Sequence, residues 1–336
     1  MEYRPLGRTG VRVSPLCLGA MMFGPWGNND VADSIRIIHR ALDSGINFVD
    51  TADVYSGGAS EEIVGQALEG RREDVFLATK FFMPMNEDDP NQRGGSRRWI
   101  IREVENSLRR LNTDYIDLYQ VHRPSPDTDV EETLGALTDL VRQGKVRYIG
   151  SSSYSGSQIV EAQWASRERN LERFVTEQPP YSILTRGIEE DVLPTVQRHG
   201  MTYSPLAGGW LSGRWRKDSA SAPTSSARPS ARFDMTKPAN QRKLDVVEEL
   251  AQLAEQSGLT LIELAIAFVI NHPGVTAAIV GPRTMEQLES YLPAAEVRLS
   301  PDVLDRIDQL VAPGVTVNPD DNSYGAHELT PQARRR

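Results

Sequence analysis

Short apolar runs and amphipathic stretches take turns along the chain. Runs at 16–20 (LCLGA), 46–50 (INFVD), 75–80 (VFLATK) and 115–121 (YIDLYQV) predict strands in the first half, and runs at 146–151 (VRYIGS), 174–178 (FVTEQ), 201–204 (MTYS) and 276–281 (TAAIVG) predict them in the second. Between them Ile35, Ile38 and Leu42 recur at helical spacing, as do Ile100, Val104, Leu108 and Leu111, then Leu134, Leu137 and Val141, and later Ile188, Val192 and Val196. Parallel strands need helical crossovers and cover on both faces, so this alternation predicts an α/β fold, a (β/α)8 TIM barrel, formed as one domain over 1–336. YRPLGRTGVRVSPL alternates around a Gly-containing turn and predicts a β-hairpin within 1–15, while a C-terminal helix and a tail over 313–336 follow the last strand.

Composition narrows what such a fold would do. The chain has 336 residues, 39% of them hydrophobic and 25% charged, enough to bury a sizeable core. A net charge of -9 repels phosphate backbones and anionic lipid, so neither nucleic acid nor a membrane surface is an expected partner. No stretch approaches ~18 apolar residues and the first residues are polar, which points to a cytoplasmic protein. The single cysteine, Cys17, sits in an apolar run and reads as a small buried hydrophobe, so thiol chemistry is not expected. Residues 216–240, rich in Ser, Ala, Pro and Arg, read as a mobile surface loop that could serve as a lid. The basic end, Arg334 to Arg336, reads as a solvated terminus, and nothing in the sequence fixes an oligomeric state.

An open doubly wound sheet would usually carry a glycine fingerprint after its first strand, and no G-x-G-x-x-G occurs. Gly65 to Gly70 is followed by Arg71 and Arg72, so it reads as a helix end and not as a phosphate loop; H-E-x-x-H and G-x-S-x-G are absent too. In a barrel the C-terminal strand ends converge on one pocket, which is where Asp50, Lys80 and His122 fall, with Tyr55 in the loop after the second strand. Each is ordinary alone. Together, at the same edge of three consecutive strands, they read as one functional site.

The segments GINFVDTADVYSGGASEEIVGQAL (45–68), LATKF (77–81), YQVHRP (119–124), GKVRYIGSSSYS (144–155), TEQPPYS (176–182), YSPLAGGWLSGR (203–214) and IVGPRTMEQLES (279–290) resemble the aldo-keto reductases, in order and over nearly the whole chain. The resemblance is to the aryl-alcohol dehydrogenase-like branch. It implies an enzyme that reduces small aldehydes and ketones with NADPH, with Asp50, Tyr55, Lys80 and His122 as its catalytic tetrad and Tyr55 as the general acid. It further implies that Ser152, Ser153 and Gln178 hold the nicotinamide amide and that Tyr203 stacks on the ring. Ser204, Leu206, Gly208 and Gly281 would also line the cofactor, the backbone from Leu211 through Gly213 to Arg214 would approach the pyrophosphate, and Arg283, with Thr284 and Gln287, would meet the 2′-phosphate.

Three places depart from the family pattern. Ser153 stands where an Asn is usual, Ser290 and Tyr291 replace the common adenine readers, and only Met201 and Thr202 separate Gly200 from Tyr203. Two other readings of the same residues remain: a Schiff-base aldolase acting through Lys80, and a cofactor-sensing module with slow or no turnover, as in barrels of this kind that serve as channel subunits. Phe23, Trp26, Phe82 and Met83 read as an apolar wall for an aromatic or medium-chain substrate.

Overall fold

The computed structural model describes residues 1–199, 210–212 and 233–321. A two-stranded antiparallel hairpin, β1 (Arg4–Pro5) and β2 (Arg12–Val13), precedes β3 (Leu16–Gly19). Then come α1 (Val31–Asp43), β4 (Phe48–Asp50), α2 (Ala59–Ala67), β5 (Phe76–Phe81), α3 (Arg97–Leu111), β6 (Ile116–Val121) and α4 (Val130–Arg142). The second half continues with β7 (Val146–Ser152), α5 (Gly156–Arg169), β8 (Phe174–Gln178), α6 (Val192–His199), α7 (Pro238–Gln256), α8 (Leu261–Asn271), β9 (Ala278–Val280), α9 (Met285–Tyr291) and α10 (Pro301–Leu310). Seven of the expected strands form one parallel sheet in the order β8-β7-β6-β5-β4-β3-β9. The strand expected at 201–204 lies outside the described residues, as do Tyr203, Ser204, Leu206, Gly208, Gly213 and Arg214.

Sequence chemistry sets the element ends. Asp30, Ser96, Ser155, Thr260 and Ser300 cap the N-termini of α1, α3, α5, α8 and α10 with a side-chain oxygen on a first-turn N–H. Asn112 and Asn170 end α3 and α5 in the left-handed conformation, which Asn tolerates better than branched residues. Ile188, read with Val192 and Val196 as one helix, sits instead in a separate 3₁₀ turn, Gly187–Glu189. Among the described residues no single helix is long and apolar enough to cross a membrane.

The pleat divides the strands into two faces. Leu16, Leu18, Val49, Leu77 and Tyr119 join the large core shared with the helices. Cys17, Phe48, Phe76, Ala78 and Leu118 point the other way and pack with Leu6 and Val13 of the hairpin. That second cluster is made by strand side chains closed off at the N-terminal end of the sheet by the hairpin. Two residues further along the same face the side chains turn polar: Asp50 follows Phe48, Lys80 follows Ala78, and Gln120 follows Leu118. The register sets them side by side, with Asp50 opposite Ala78 and Lys80 opposite Gln120.

The segment read as a lid is in part built into the fold. Phe233 stacks on Trp210 with centroids 5.9 Å apart, and Pro238 opens α7. The start of the expected tail is likewise bound. Arg186 N–H bonds the Val315 carbonyl at 3.1 Å, and Val317 N–H bonds the Leu184 carbonyl at 2.9 Å.

Gly65 lies inside α2, where a Cβ would sit 2.7 Å from the Leu111 carbonyl of α3. Gly65→Ala should therefore push α2 off α3 and cost about 1–3 kcal/mol, as overpacking does. Urea unfolding reads this, and an unchanged midpoint would show that the two helices have room to spare.

Candidate active site

The polar end of the uncovered face is organised by one buried ion pair. Lys80 Nζ donates to Asp50 Oδ1, to the Thr51 carbonyl at 2.9 Å and to Tyr55 Oη at 3.4 Å. Neither charged side chain is appreciably exposed, 0% for Lys80 and 4% for Asp50. Asp50 Oδ2 accepts from Gln120 Nε2 at 3.1 Å and from Gln178 Nε2 at 3.0 Å, so both carboxylate oxygens are engaged. Burying two charges is costly unless each also meets further hydrogen-bond partners, and here both do.

Tyr55 reaches this pair because the loop after β4 is pinned at several points. Asp53 N–H bonds the Lys80 carbonyl at 3.0 Å, and Val54 N–H bonds Asp53 Oδ1 at 2.6 Å. Thr51 and Ser60 share a hydroxyl contact at 2.9 Å. Beyond Tyr55 the chain reverses through Ser56 at φ +53° and Gly57 at φ +66°, and Ser56 Oγ accepts from Trp26 N–H at 3.2 Å. The Trp26 ring then lies 6.1 Å from the Tyr55 ring, while Phe23, expected in the same apolar wall, is fully buried and anchors the loop from within.

His122 N–H bonds the Phe81 carbonyl at 3.0 Å, and its ring meets Tyr55 edge-on with centroids 5.7 Å apart. Burial, and then the positive charges of Lys80 and Arg123, hold the imidazole well below its ordinary pKa, so it is neutral. Its Nδ1 is buried and finds no hydrogen-bond partner among the described residues. For Tyr55 the balance differs from what the sequence suggests. Burial pushes the phenol above its ordinary value, against the opposing pull of Lys80, so in the free protein the ammonium limits the rise but does not make the phenol acidic.

Comparison with known proteins places the chain in a family. Residues 15–312 match the model of the aldo/keto reductase family. The chain belongs to that family. It is 41% identical over 323 residues to the uncharacterized oxidoreductase YrpG of Bacillus subtilis (strain 168), covering 92% of this chain and 96% of the relative. It is 38% identical over 300 residues to the aldo-keto reductase YhdN of the same organism, covering 86% and 87%. A probable voltage-gated potassium channel subunit beta of Arabidopsis thaliana is 35% identical over 321 residues, covering 93% and 97%. The family acts as oxidoreductases on small carbonyl compounds and generally uses nicotinamide cofactors.

The expected cofactor residues fall into two groups in this aldo/keto reductase. Ser152 and Gln178 end β7 and β8 as register partners, and Ser152 Oγ donates to the Gln178 carbonyl at 2.9 Å. Gln178 gives its amide nitrogen to Asp50, which leaves its Oε1 to accept; that acceptor fits the NH2 of a nicotinamide carboxamide. Ser153 stands at φ +62° and its Oγ accepts from Arg123 Nη1 at 2.8 Å, so its own proton stays available to donate. The second group, Gly281, Arg283, Thr284 and Gln287, follows β9 at the other edge of the described sheet. Its backbone is held by Asn28 Nδ2 on the Arg283 carbonyl at 2.9 Å and by Gln287 Oε1 on Arg283 N–H at 2.8 Å. Leu211 is fully buried. Ser290 Oγ donates to the Gln287 carbonyl at 2.8 Å and Tyr291 is buried.

Gln120, Arg123 and Glu177 were not singled out by the sequence pattern. Gln120 could have been, since it lies two residues before His122 and so shares its face.

Removing the carboxylate should strand a buried ammonium. Asp50→Ala is expected to cost about 3–5 kcal/mol in chemical denaturation, and adding Lys80→Met should recover part of it. A loss under about 1 kcal/mol would show that water reaches Lys80.

Proposed function

We propose that the protein reduces aldehydes and ketones to alcohols with NADPH, with Tyr55 as the general acid and Asp50, Lys80 and His122 around it. The observation that carries this reading is the Lys80 ammonium, held by Asp50 and lying 3.4 Å from Tyr55 Oη. The site would sit in one barrel domain, with residues 201–204 as an eighth strand joining β8 to β9 and bringing the two cofactor groups together. Among the described residues β8 and β9 each pair on one side only, and this, with a sheet face whose apolar residues pack with one another and the hairpin, supports that closure.

When bound, the cofactor supplies the hydride. The chain's own residues handle the proton and the geometry. Neutral His122 donates a hydrogen bond to the substrate oxygen and orients the carbonyl. Tyr55 Oη delivers its proton to that oxygen. A phenol with a raised pKa stays protonated across the neutral range, and an alkoxide is far more basic than a phenolate, so the transfer remains downhill. Lys80 then faces the phenolate, and Asp50 keeps it charged between turnovers.

Ser152, Ser153 and Gln178 would hold the carboxamide, and Tyr203 would stack on the ring. Ser204, Leu206, Gly208, Leu211, Gly213 and Arg214 would follow the pyrophosphate. Arg283, with Gly281, Thr284 and Gln287 beside it, would meet the 2′-phosphate; the residue is half-buried and makes no ion pair among the described residues. The aldolase reading loses support because the three Lys80 donors already meet Asp50, Thr51 and Tyr55, whereas a Schiff base needs a free lone pair. The relative named as a probable channel subunit fits the sensing reading only loosely. Tight NADPH binding without oxidation by any member of an aldehyde, ketone and keto-sugar panel would establish it instead.

Tyr55→Phe should lower kcat by about 10²- to 10⁴-fold while the NADPH dissociation constant stays near wild type. Equal turnover in the purified variant would remove the general acid. Arg283→Ala should weaken NADPH roughly ten- to a hundredfold, the worth of a charge-assisted contact, and leave NADH nearly unchanged. A comparable loss for both nucleotides in fluorescence titration would place the 2′-phosphate elsewhere.

A further inference from the structure

Behind the β7 end lies a carboxyl group that the reduction chemistry does not use. Glu177, in β8, is fully buried, as is Ser151 opposite it in β7. Its Oε2 accepts from Ser151 Oγ at 2.5 Å and its Oε1 from Tyr154 N–H at 3.0 Å, while Ser153 N–H, which also faces it, bonds the Gln178 carbonyl at 3.3 Å. These contacts clasp the turn Ser151–Tyr154, in which Ser153 holds a left-handed φ of +62° that a serine adopts only when its surroundings impose it. Arg123 fastens the same turn from the front through Ser153 Oγ.

We propose that Glu177 is a positioning residue whose state of ionisation sets the shape of the Ser151–Tyr154 turn and, through Ser152 and Ser153, the hold on the nicotinamide carboxamide. The inference rests on the cofactor reading above. As a carboxylate, Glu177 accepts from Ser151 Oγ and Tyr154 N–H. As a neutral acid it must itself donate, and the acceptor at hand is Ser151 Oγ, which can turn its own proton toward the Thr176 carbonyl 3.4 Å away. The neutral arrangement weakens the clasp on Tyr154 N–H, because hydrogen bonds to a charged acceptor are stronger than those to a neutral one.

Among the described residues, the charged and titratable side chains acting on Glu177 are the Arg123 guanidinium after β6, which favours the carboxylate, and the neighbouring Tyr154 phenol, whose proton the carboxylate helps retain. Burial outweighs Arg123 and the donated hydrogen bonds and pushes the carboxyl up to about 8, so both states are populated near neutrality.

The test titrates NADPH by fluorescence from pH 7 to 9.5, above the ~6 at which a phosphate monoester changes charge, in the wild type and in Glu177→Gln, and follows the Tyr154 amide by NMR in both proteins without cofactor. The wild type should tighten roughly fivefold as pH rises through the transition, the difference between a neutral and a charge-assisted hydrogen bond. Its Tyr154 amide should shift with a midpoint near pH 8. Both changes should vanish in Glu177→Gln, which stays neutral at every pH and should bind at the weaker level. An amide transition that persists in Glu177→Gln, or a wild-type affinity flat across the range, overturns the proposal. A wild type whose amide titrates but which binds no NADPH defeats the cofactor reading, and with it the coupling, and leaves only the turn's response to Glu177.

Discussion

A lysine ammonium and an aspartate carboxylate held together out of water constrain everything at the polar end of the sheet. Lys80 cannot be buried alone, Asp50 cannot be buried alone, and each draws in the neighbours that complete its hydrogen bonding: Thr51 and Tyr55 around the amine, Gln120 and Gln178 around the carboxylate. Tyr55 is therefore placed by the solvation needs of Lys80 as well as by its own loop. Gln178 carries the constraint outward, since committing its nitrogen to Asp50 fixes which end of its amide is left for a ligand.

The same constraint explains why the apolar cluster and the polar site share one face of the sheet. A side chain period of two puts Phe48 below Asp50, Ala78 below Lys80 and Leu118 below Gln120, so the hairpin-capped cluster is the floor on which the ion pair stands. That floor keeps water from the pair on one side. The burial that results also raises the Tyr55 phenol and depresses the His122 imidazole, so one dry environment leaves both groups in their neutral, hydrogen-donating forms.

Much of this was legible in the sequence because it follows from periodicity. Asp50, Lys80 and His122 end apolar runs, and strand ends on one side of a parallel sheet must come together. The family resemblance singled out the same residues. What periodicity could not give was the sign of a balance. That Lys80 lies near Tyr55 is a matter of placement, but whether its charge outweighs the burial of the phenol depends on how dry the loop is, and no residue pattern reports that. Nor could it separate Phe23 from Trp26 in one loop, since their fates turn on the Ser56 contacts of a different loop. Glu177 left no signal because its partners are a serine hydroxyl and backbone N–H groups, which any sequence supplies.

The two groups of residues expected at a cofactor show how neighbours can order a position whose own side chain has changed. Where the family usually places an asparagine, Ser153 has a shorter reach and fewer donors, yet Arg123 takes one of its lone pairs and the backbone is fixed from behind by Glu177. A turn held from both sides needs less from its own side chain. At the far edge, Arg283 is likewise anchored through its backbone by Asn28 and Gln287, which fixes where its side chain departs while leaving its guanidinium uncommitted among the described residues. In both places the order is supplied by neighbours, which leaves the Ser153 proton and the Arg283 guanidinium uncommitted among the described residues, the condition under which a binding site can be rigid before anything binds.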